Sequence, residues 1–384
     1  MRILRVIKSV DRVGGGPIEG VIQSSLILLA RGDNIELVCL DSPNAPWLKD
    51  LPIKTYALGT AKASSYGYSR QYVPWLCRNA KNYDVVVVHG LWQYSSFGAW
   101  IALSKLGIPY FVFPHGMLDP WFKRTYPLKH LKKCLYWSWA EYQVLRDAQA
   151  VLFTSEEERI LGRESFWPYK CNEIVVNYGT AVPDGDPTVQ RQTFLNKFPQ
   201  LHHKRLFLFL SRLHVKKGCD LLIEAFAKVA NLDDSLHLVM AGPDQTGWQA
   251  KLEKQAEKLG IAQKITWTGM LSSDLKWGAF HAAEILVLPS HQENFGIVVA
   301  EALACGVPVL ISNKVNIWRE IVADGAGLVA NDDLHGTVEL LQKWLSMSQH
   351  EQKNMQQKAK KCFIERFEIH KAVHSLSNVL QRIG

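Results

Sequence analysis

Two carboxylates, Glu293 and Glu301, stand on either side of Asn294-Phe295-Gly296-Ile297, where a helical pattern opens after the apolar run Ile285 to Leu288. Glu293 then stands in the loop above the helix N-terminus, and Glu301 lies about two turns along, reaching the same cleft from below. The N–H groups of Asn294, Phe295, Gly296 and Ile297 begin that helix, and a helix N-terminus favours an anion. Glu301 sits among the apolar residues Val298 to Ala304. A carboxylate there is costly unless it is bonded, and the hydroxyls of a ribose would bond it. Upstream, Arg212 follows the apolar run Arg205 to Leu210, and Lys217 precedes Gly218. An arginine grips a phosphate with two parallel bonds, and a lysine adds a compact charge. Taken singly, these are a charged loop or a helix capping its own loop. Taken together, they describe a site for phosphate and hydroxyl groups.

The first half offers softer signals. Gly14-Gly15-Gly16 follows a β-rich run from Arg2 and precedes a helical pattern from about Glu19 to Arg31. Glycines permit close approach to a ligand, or simply a flexible turn. The spacing misses G-x-G-x-x-G, because the next glycine is Gly20, and no Walker lysine follows. A dehydrogenase therefore has little support. His115 lies in Phe113-Pro114-His115-Gly116, and His89 follows the continuous run Asp84 to Val88. No histidine pair stands in a metal-ligand context. Asp184-Gly185-Asp186 reads as a turn.

Elements must position these groups. Short apolar runs alternate with helical patterns, which predicts parallel sheets with crossovers. The alternation runs from Arg2 to Val176 and restarts after Pro199. Between about Thr180 and Pro199, four prolines and glycines with few apolar residues read as a linker. The predicted domains are residues 1–185, 186–365 and a terminal helix over 366–384 that could cross back to the first. The 384 residues suit two domains. At 47% hydrophobic and 21% charged, the chain is not mainly disordered. No run reads as a spanning helix, and Arg2, Arg5 and Lys8 interrupt any signal-peptide core. Seven scattered cysteines without C-x-x-C read as free thiols of a reducing cytoplasm.

Arg212-x4-Lys217-Gly218, Gly242-Pro243, Glu293-x7-Glu301 around Asn-Phe-Gly, and Gly306-Val307-Pro308 together resemble a retaining glycosyltransferase of family 4, of the type found in bacterial exopolysaccharide synthesis. The resemblance implies the α/β GT-B fold, two Rossmann-like domains facing each other across a cleft. The first would bind the acceptor and the second a UDP-sugar, with glucose the favoured sugar, and no metal. Arg212 and Lys217 would hold the donor diphosphate, Glu301 the ribose, and Glu293 the donor sugar. The N–H groups of Asn294, Phe295, Gly296 and Ile297 would meet sugar and diphosphate. Gly242 belongs to the donor set, and Met270 and Leu271 would clasp the base. Gly15 and Gly16 would close over the diphosphate, with His115 near the anomeric centre. His89 and Trp92 are acceptor-side candidates, although His89 could merely cap its turn. The acceptor would be a saccharide, free or carried on a lipid diphosphate. A UDP-sugar epimerase, or a silent binding protein of the same fold, are the alternatives.

The net charge of +8 would suit nucleic acid, an anionic membrane or phosphorylated small molecules. Half of it falls in Asp119 to Lys133, where Lys123, Arg124, Lys129, Lys132 and Lys133 face one acid. Leu128, Leu131, Leu135 and Trp139 recur at helical spacing beside them. The stretch reads either as an interfacial helix at an anionic membrane or as a core helix with solvated lysines. The first reading would make a cytoplasmic protein peripheral on the inner face of the plasma membrane. No nucleic-acid-binding signature accompanies the charge.

Overall fold

The computed structural model describes residues 1–12, 15–49, 51–59 and 65–383. Gly14 of the predicted glycine turn lies outside the described residues. The chain divides into two compact units, one of Met1–Gly179 with Ile369–Gly384, the other of Thr180–Glu368.

The first unit is built on seven strands: β1 (Arg2–Ile7), β2 (Asn34–Cys39), β3 (Thr55–Ala57), β4 (Val85–His89), β5 (Tyr110–Phe113), β6 (Ala150–Phe153) and β7 (Glu173–Val175). They pair in the order β3-β2-β1-β4-β5-β6-β7, all parallel. β4 is buried along its whole length, as a continuous valine run in a doubly covered sheet should be. Val86 and Val88 pack with Leu4 and Val6 on one face, while Ile7 joins Ile18, Val21 and Ile22 on the other. The helix Gly16–Ala30 covers this second face together with the terminal helix Ile369–Ile383. Ile369, Ala372, Val373, Leu376 and Leu380 of that helix are buried. Their spacing makes one apolar stripe, which explains why the last residues belong to the first unit.

The second unit holds β8 (Arg205–Leu210), β9 (Leu236–Ala241), β10 (Ile265–Gly269), β11 (Ala283–Leu288), β12 (Val309–Ser312) and β13 (Gly327–Ala330). Their order is β10-β9-β8-β11-β12-β13, again parallel. In each sheet the strand order reverses beside the first strand of the unit. The reversal falls between β1 and β4 in one and between β8 and β11 in the other. Open α/β sheets bind ligands at the carboxyl ends of strands at such a reversal.

The predicted linker is a correction. Pro187–Lys197 is a helix, started by Asp186, whose side chain accepts from the N–H groups of Thr188 and Val189, with Pro187 in its first turn. Gln190, Phe194 and Leu195 of this helix are buried. It packs on the helix Ser273–Ala282, where Gly278 allows contact so close that a Cβ would lie 2.2 Å from the Gln190 carbonyl oxygen. Proline and aspartate that read as loop composition are here a helix start. The chain passes between units at 179/180 and 368/369. The strands Thr55–Ala57 and Gly327–Ala330 were too short and too polar at their borders to be read from the sequence.

Candidate functional site

The second unit concentrates the charged candidates at the reversal between β8 and β11. Arg212 leaves the end of β8 and is exposed. Lys217 ends a single 3-10 turn and is buried. Its ammonium meets the carboxylate of Glu293 in a close ion pair. Glu293 is held by its backbone: its N–H donates to the Lys314 carbonyl (2.9 Å), and its carbonyl accepts from Asn316 N–H (3.0 Å). Glu301 lies on the helix Ile297–Ala304, 8% exposed, and accepts from the Lys276 ammonium at 2.8 Å. Two acid–base pairs, each with one buried member (Lys217, Glu301) and one half-buried member (Glu293, Lys276), stand with exposed Arg212 at the same strand end, a costly arrangement for stability alone. They are better suited to exchanging partners with a charged, hydroxylated ligand.

The loops around these pairs are tied together by backbone. Gly242 N–H donates to the Gly269 carbonyl (2.8 Å), and Leu213 N–H to the Pro243 carbonyl (3.1 Å). A Cβ on Gly242 would stand 1.8 Å from the Ser211 carbonyl oxygen, so only glycine permits this junction of β8 and β9. Met270 is exposed just beyond β10, while Leu271 is buried. The Phe295 ring is buried against Phe367, which restricts any part it plays in a site to its backbone. Asn294 Oδ1 accepts from Asn316 Nδ2 at 3.4 Å, and Gly296 precedes the first residue of the helix that Ile297 begins.

In the first unit, Gly15 precedes the helix Gly16–Ala30, and Pro17 stands in its first turn. His115 follows β5 with φ +51°. Its Nε2 lies 3.0 Å from Nδ1 of His89, and both rings stack with Phe113. Burial first, and the Arg5 charge second, lower the His115 pKa to about 4, and burial, then His115 and Arg5, hold His89 well below the ordinary range. Both rings are neutral at pH 7. His89 is 3% exposed, so it does not meet an acceptor as expected. The alternation of β4 turns its side chain to the face that the terminal helix covers. Trp92 is half-buried, its N–H donating to Glu141 (2.8 Å) and its indole to the Met117 carbonyl (3.1 Å). Lys133 stands 4.4 Å over its ring.

Sequence reading missed several groups here. Lys276 could have been sought as the cation that a carboxylate in an apolar helix requires. Glu158, which accepts from Gly116 N–H (2.6 Å) and Thr154 N–H (2.7 Å), fixes the turn carrying His115. Glu141 is fully buried in a π-helical turn, and burial raises its pKa to about 8. Neither glutamate sits in a motif, so no local signal marked them.

The basic aromatic stretch resolves into the helices Trp121–Thr125 and Pro127–Tyr136 and the turn Trp137–Glu141. Leu128, Leu131, Leu135 and Trp139 are 79%, 61%, 71% and 57% exposed. That excludes the core-helix reading within this unit. Among the described residues, no helix is long and apolar enough to cross a membrane.

The two parallel sheets with these strand orders are the GT-B class of α/β fold. The family described as glycosyl transferases group 1 matches residues 190–362, and the glycosyl transferase 4-like domain matches residues 22–176. The chain belongs to glycosyltransferase family 4. A D-inositol 3-phosphate glycosyltransferase of Thermomonospora curvata is 37% identical over 134 residues, 33% of this chain and 31% of that protein. An alpha-D-kanosaminyltransferase of Streptomyces kanamyceticus is 26% identical over 189 residues, 49% of this chain and 48% of that one. The matches thus span about a third to a half of these relatives. Among solved structures, sucrose-phosphate synthase of Thermosynechococcus elongatus has a TM-score of 0.80 at 18% identity, covering 100% of this chain and 98% of that one. Anabaena HepE in complex with UDP and glucose has a TM-score of 0.78 at 16% identity, covering 100% of both chains. At such identities the likeness is one of fold.

Proposed function

We propose that the protein transfers glucose from UDP-glucose, with retained configuration and without a metal ion, to a saccharide acceptor in polysaccharide synthesis. The observation that carries this reading is the pairing of Lys217 with Glu293 and of Lys276 with Glu301 at the strand-order reversal beside Arg212. A similarly folded protein bound to UDP and glucose supports the choice of donor.

Breaking a glycosyl–diphosphate bond develops one further negative charge on the diphosphate of the departing nucleotide, which must be stabilised. In the proposed reaction Arg212 and Lys217 receive that charge. Lys217 exchanges Glu293 for phosphate, and the released carboxylate takes hydroxyls of the sugar. Glu301 holds the ribose. Backbone groups of Asn294 to Ile297 meet sugar and diphosphate, Gly242 lets the donor approach, and Met270 and Leu271 border the base. Gly15 and Gly16 meet the diphosphate, and His115 bonds the sugar near its anomeric carbon.

Purified protein is incubated with UDP-glucose and candidate oligosaccharides, with and without chelator, and products are followed by mass and anomeric NMR. An α-linked product that forms equally well with chelator is expected. Failure to bind UDP at millimolar concentration would end this reading, and an epimerised UDP-sugar without acceptor would replace it.

The exposed Leu128, Leu131, Leu135 and Trp139 stripe, flanked by Lys123, Arg124, Lys129 and Lys132, supports a cytoplasmic protein peripheral on an anionic membrane. Such a surface would bring it to acceptors carried on lipid diphosphates.

A further inference from the structure

Behind His115 lies a buried group of donors and acceptors that the transfer reaction leaves unassigned. Arg5 stands at the middle of β1, 1% exposed, a full positive charge inside the first unit. Its Nη1 donates to Ser24 Oγ (2.8 Å) and to the Val21 carbonyl (3.3 Å). Its Nε and Nη2 are buried with no protein partner among the described residues, and so is Nε2 of His89. Arg5, His89 and Tyr178 line one small cavity of about 20 Å³, walled also by Gly20, Val21, Phe113 and the terminal helix. That is room for one water molecule, since a water needs about 10–15 Å³ of such space.

We propose that Arg5 is a positioning residue that sets the proton arrangement of the His89–His115 pair. The inference rests on the reading of His115 as the residue that bonds the donor sugar. A guanidinium only donates hydrogen bonds. The neighbour it favours is an acceptor, so Nε2 of His89 carries a lone pair, met through a water that accepts from Arg5 and donates to the ring. The single proton of neutral His89 then sits on Nδ1. That N–H donates across 3.0 Å to Nε2 of His115. His115 in turn carries its proton on Nδ1, which is left as a donor of fixed identity. The opposite tautomer would aim an N–H of His89 at a group that only donates.

The charged and titratable groups around the pair agree. Arg5 approaches from β1 and His89 from β4. Tyr178 contacts the His115 ring edge-on at 6.1 Å. Glu158 bonds the adjacent Gly116 N–H. The helix Gly16–Ala30 contributes Gly20, Val21 and Ser24 to the cavity wall, with Glu19 next in sequence, and the terminal helix contributes Ile369, Ala372, Val373 and Leu376. None of these wall residues places a carboxylate in the cavity against Arg5. The guanidinium charge therefore also opposes protonation of both rings.

The test uses the full-length protein labelled with nitrogen-15 at histidine, its resonances assigned with His89→Gln. Both His89 and His115 should show a protonated Nδ1 and a pyridine-like Nε2 at pH 7. A protonated Nε2 on His89 would overturn the proposal without any activity measurement, so the result stands even if a variant fails to fold. In Arg5→Met the single tautomer should be lost and the acid limb of the transfer profile should rise above its wild-type position near pH 4, burial holding it below the ordinary histidine range. The kcat should fall about tenfold with KM for donor within about twofold, and Arg5→Lys should restore most of both changes. An Arg5→Met protein that keeps the single wild-type tautomer would overturn the proposal. Altered tautomers with unaltered transfer would instead refute the role given to His115.

Discussion

At the scale of single residues, charge placement dominates. Lys217 is buried against half-buried Glu293, and removing the carboxylate leaves the ammonium uncompensated. Glu293→Ala is expected to abolish the proposed glucose transfer in a coupled UDP-release assay, a loss of at least about a hundredfold. Circular dichroism should show the fold retained. Glu141 gives a prediction about pH. Its folded pKa is raised to about 8 by burial, so the native carboxyl stays protonated while the unfolded one ionises above its ordinary 4.5. Stability from this group is present below that value and is lost as pH rises toward 8. Glu141→Gln, which keeps the oxygen that accepts from Trp92 N–H and Ser96 Oγ, should flatten that decline in urea melts. Glu141→Ala should cost about 1–3 kcal/mol at pH 6. His115 has the opposite sign. Its folded pKa of about 4 lies below the ordinary 6.5, so the unfolded chain takes up a proton that the native chain refuses. The melting temperature should fall as pH drops from 6.5 toward 4.

At the scale of elements, two contacts test the fold. The helices Pro187–Lys197 and Ser273–Ala282 touch through Gly278, where a Cβ would also lie 2.7 Å from the Phe194 Cβ. Gly278→Ala must push these helices apart and should cost the second unit about 1–3 kcal/mol in chemical denaturation. The helix Pro127–Tyr136 makes a prediction about lipid. Replacing Leu131 and Leu135 with Glu should remove binding to phosphatidylglycerol vesicles in a flotation assay while leaving the melting temperature unchanged, because both side chains are exposed. Binding of the native protein should weaken as salt rises from about 0.1 to 1 M. Flotation equal to wild type would remove the membrane from this account. Much at this scale was legible beforehand. The continuous valines of β4 and the RLFLFL run of β8 could only be buried parallel strands. The helix Pro187–Lys197 was not legible, because its start signals are also turn residues.

At the scale of the whole molecule, the chain leaves the first unit at Gly179 and returns at Ile369. The segment Thr180–Glu368 has its own sheet and core, and it carries every charged donor candidate. Expressed alone, it should fold and bind UDP. At about a hundredfold excess over Kd, linkage contributes about 2.7 kcal/mol, or a rise of about 5–10 °C in Tm for a unit of this size. No shift would place nucleotide binding elsewhere. Deleting residues 369–384 strips Ile369, Val373, Leu376 and Leu380 from the first unit. That should unfold the first unit while the UDP-induced shift of the second survives.

By itself the sequence determined the repeated α/β alternation, the family, and the cluster of Arg212, Lys217, Glu293 and Glu301. Those are local patterns: apolar runs of strand length, glycine beside proline, and carboxylates at helical spacing. Only the tertiary structure decided which acid faces which base, that Lys276 belongs with Glu301, and that His89 is interior rather than acceptor-facing. It alone decided that the leucines beside the lysines stay exposed, and that Arg5 shares a cavity with His89. Each of these depends on which strand neighbours which, and on which face of a sheet a later helix covers. Residues 5, 89 and 373 meet because β1 pairs with β4 and the terminal helix returns to that face. The mild positive charge of the chain acquired its meaning in the same way, from placement on an exposed face and at two strand ends.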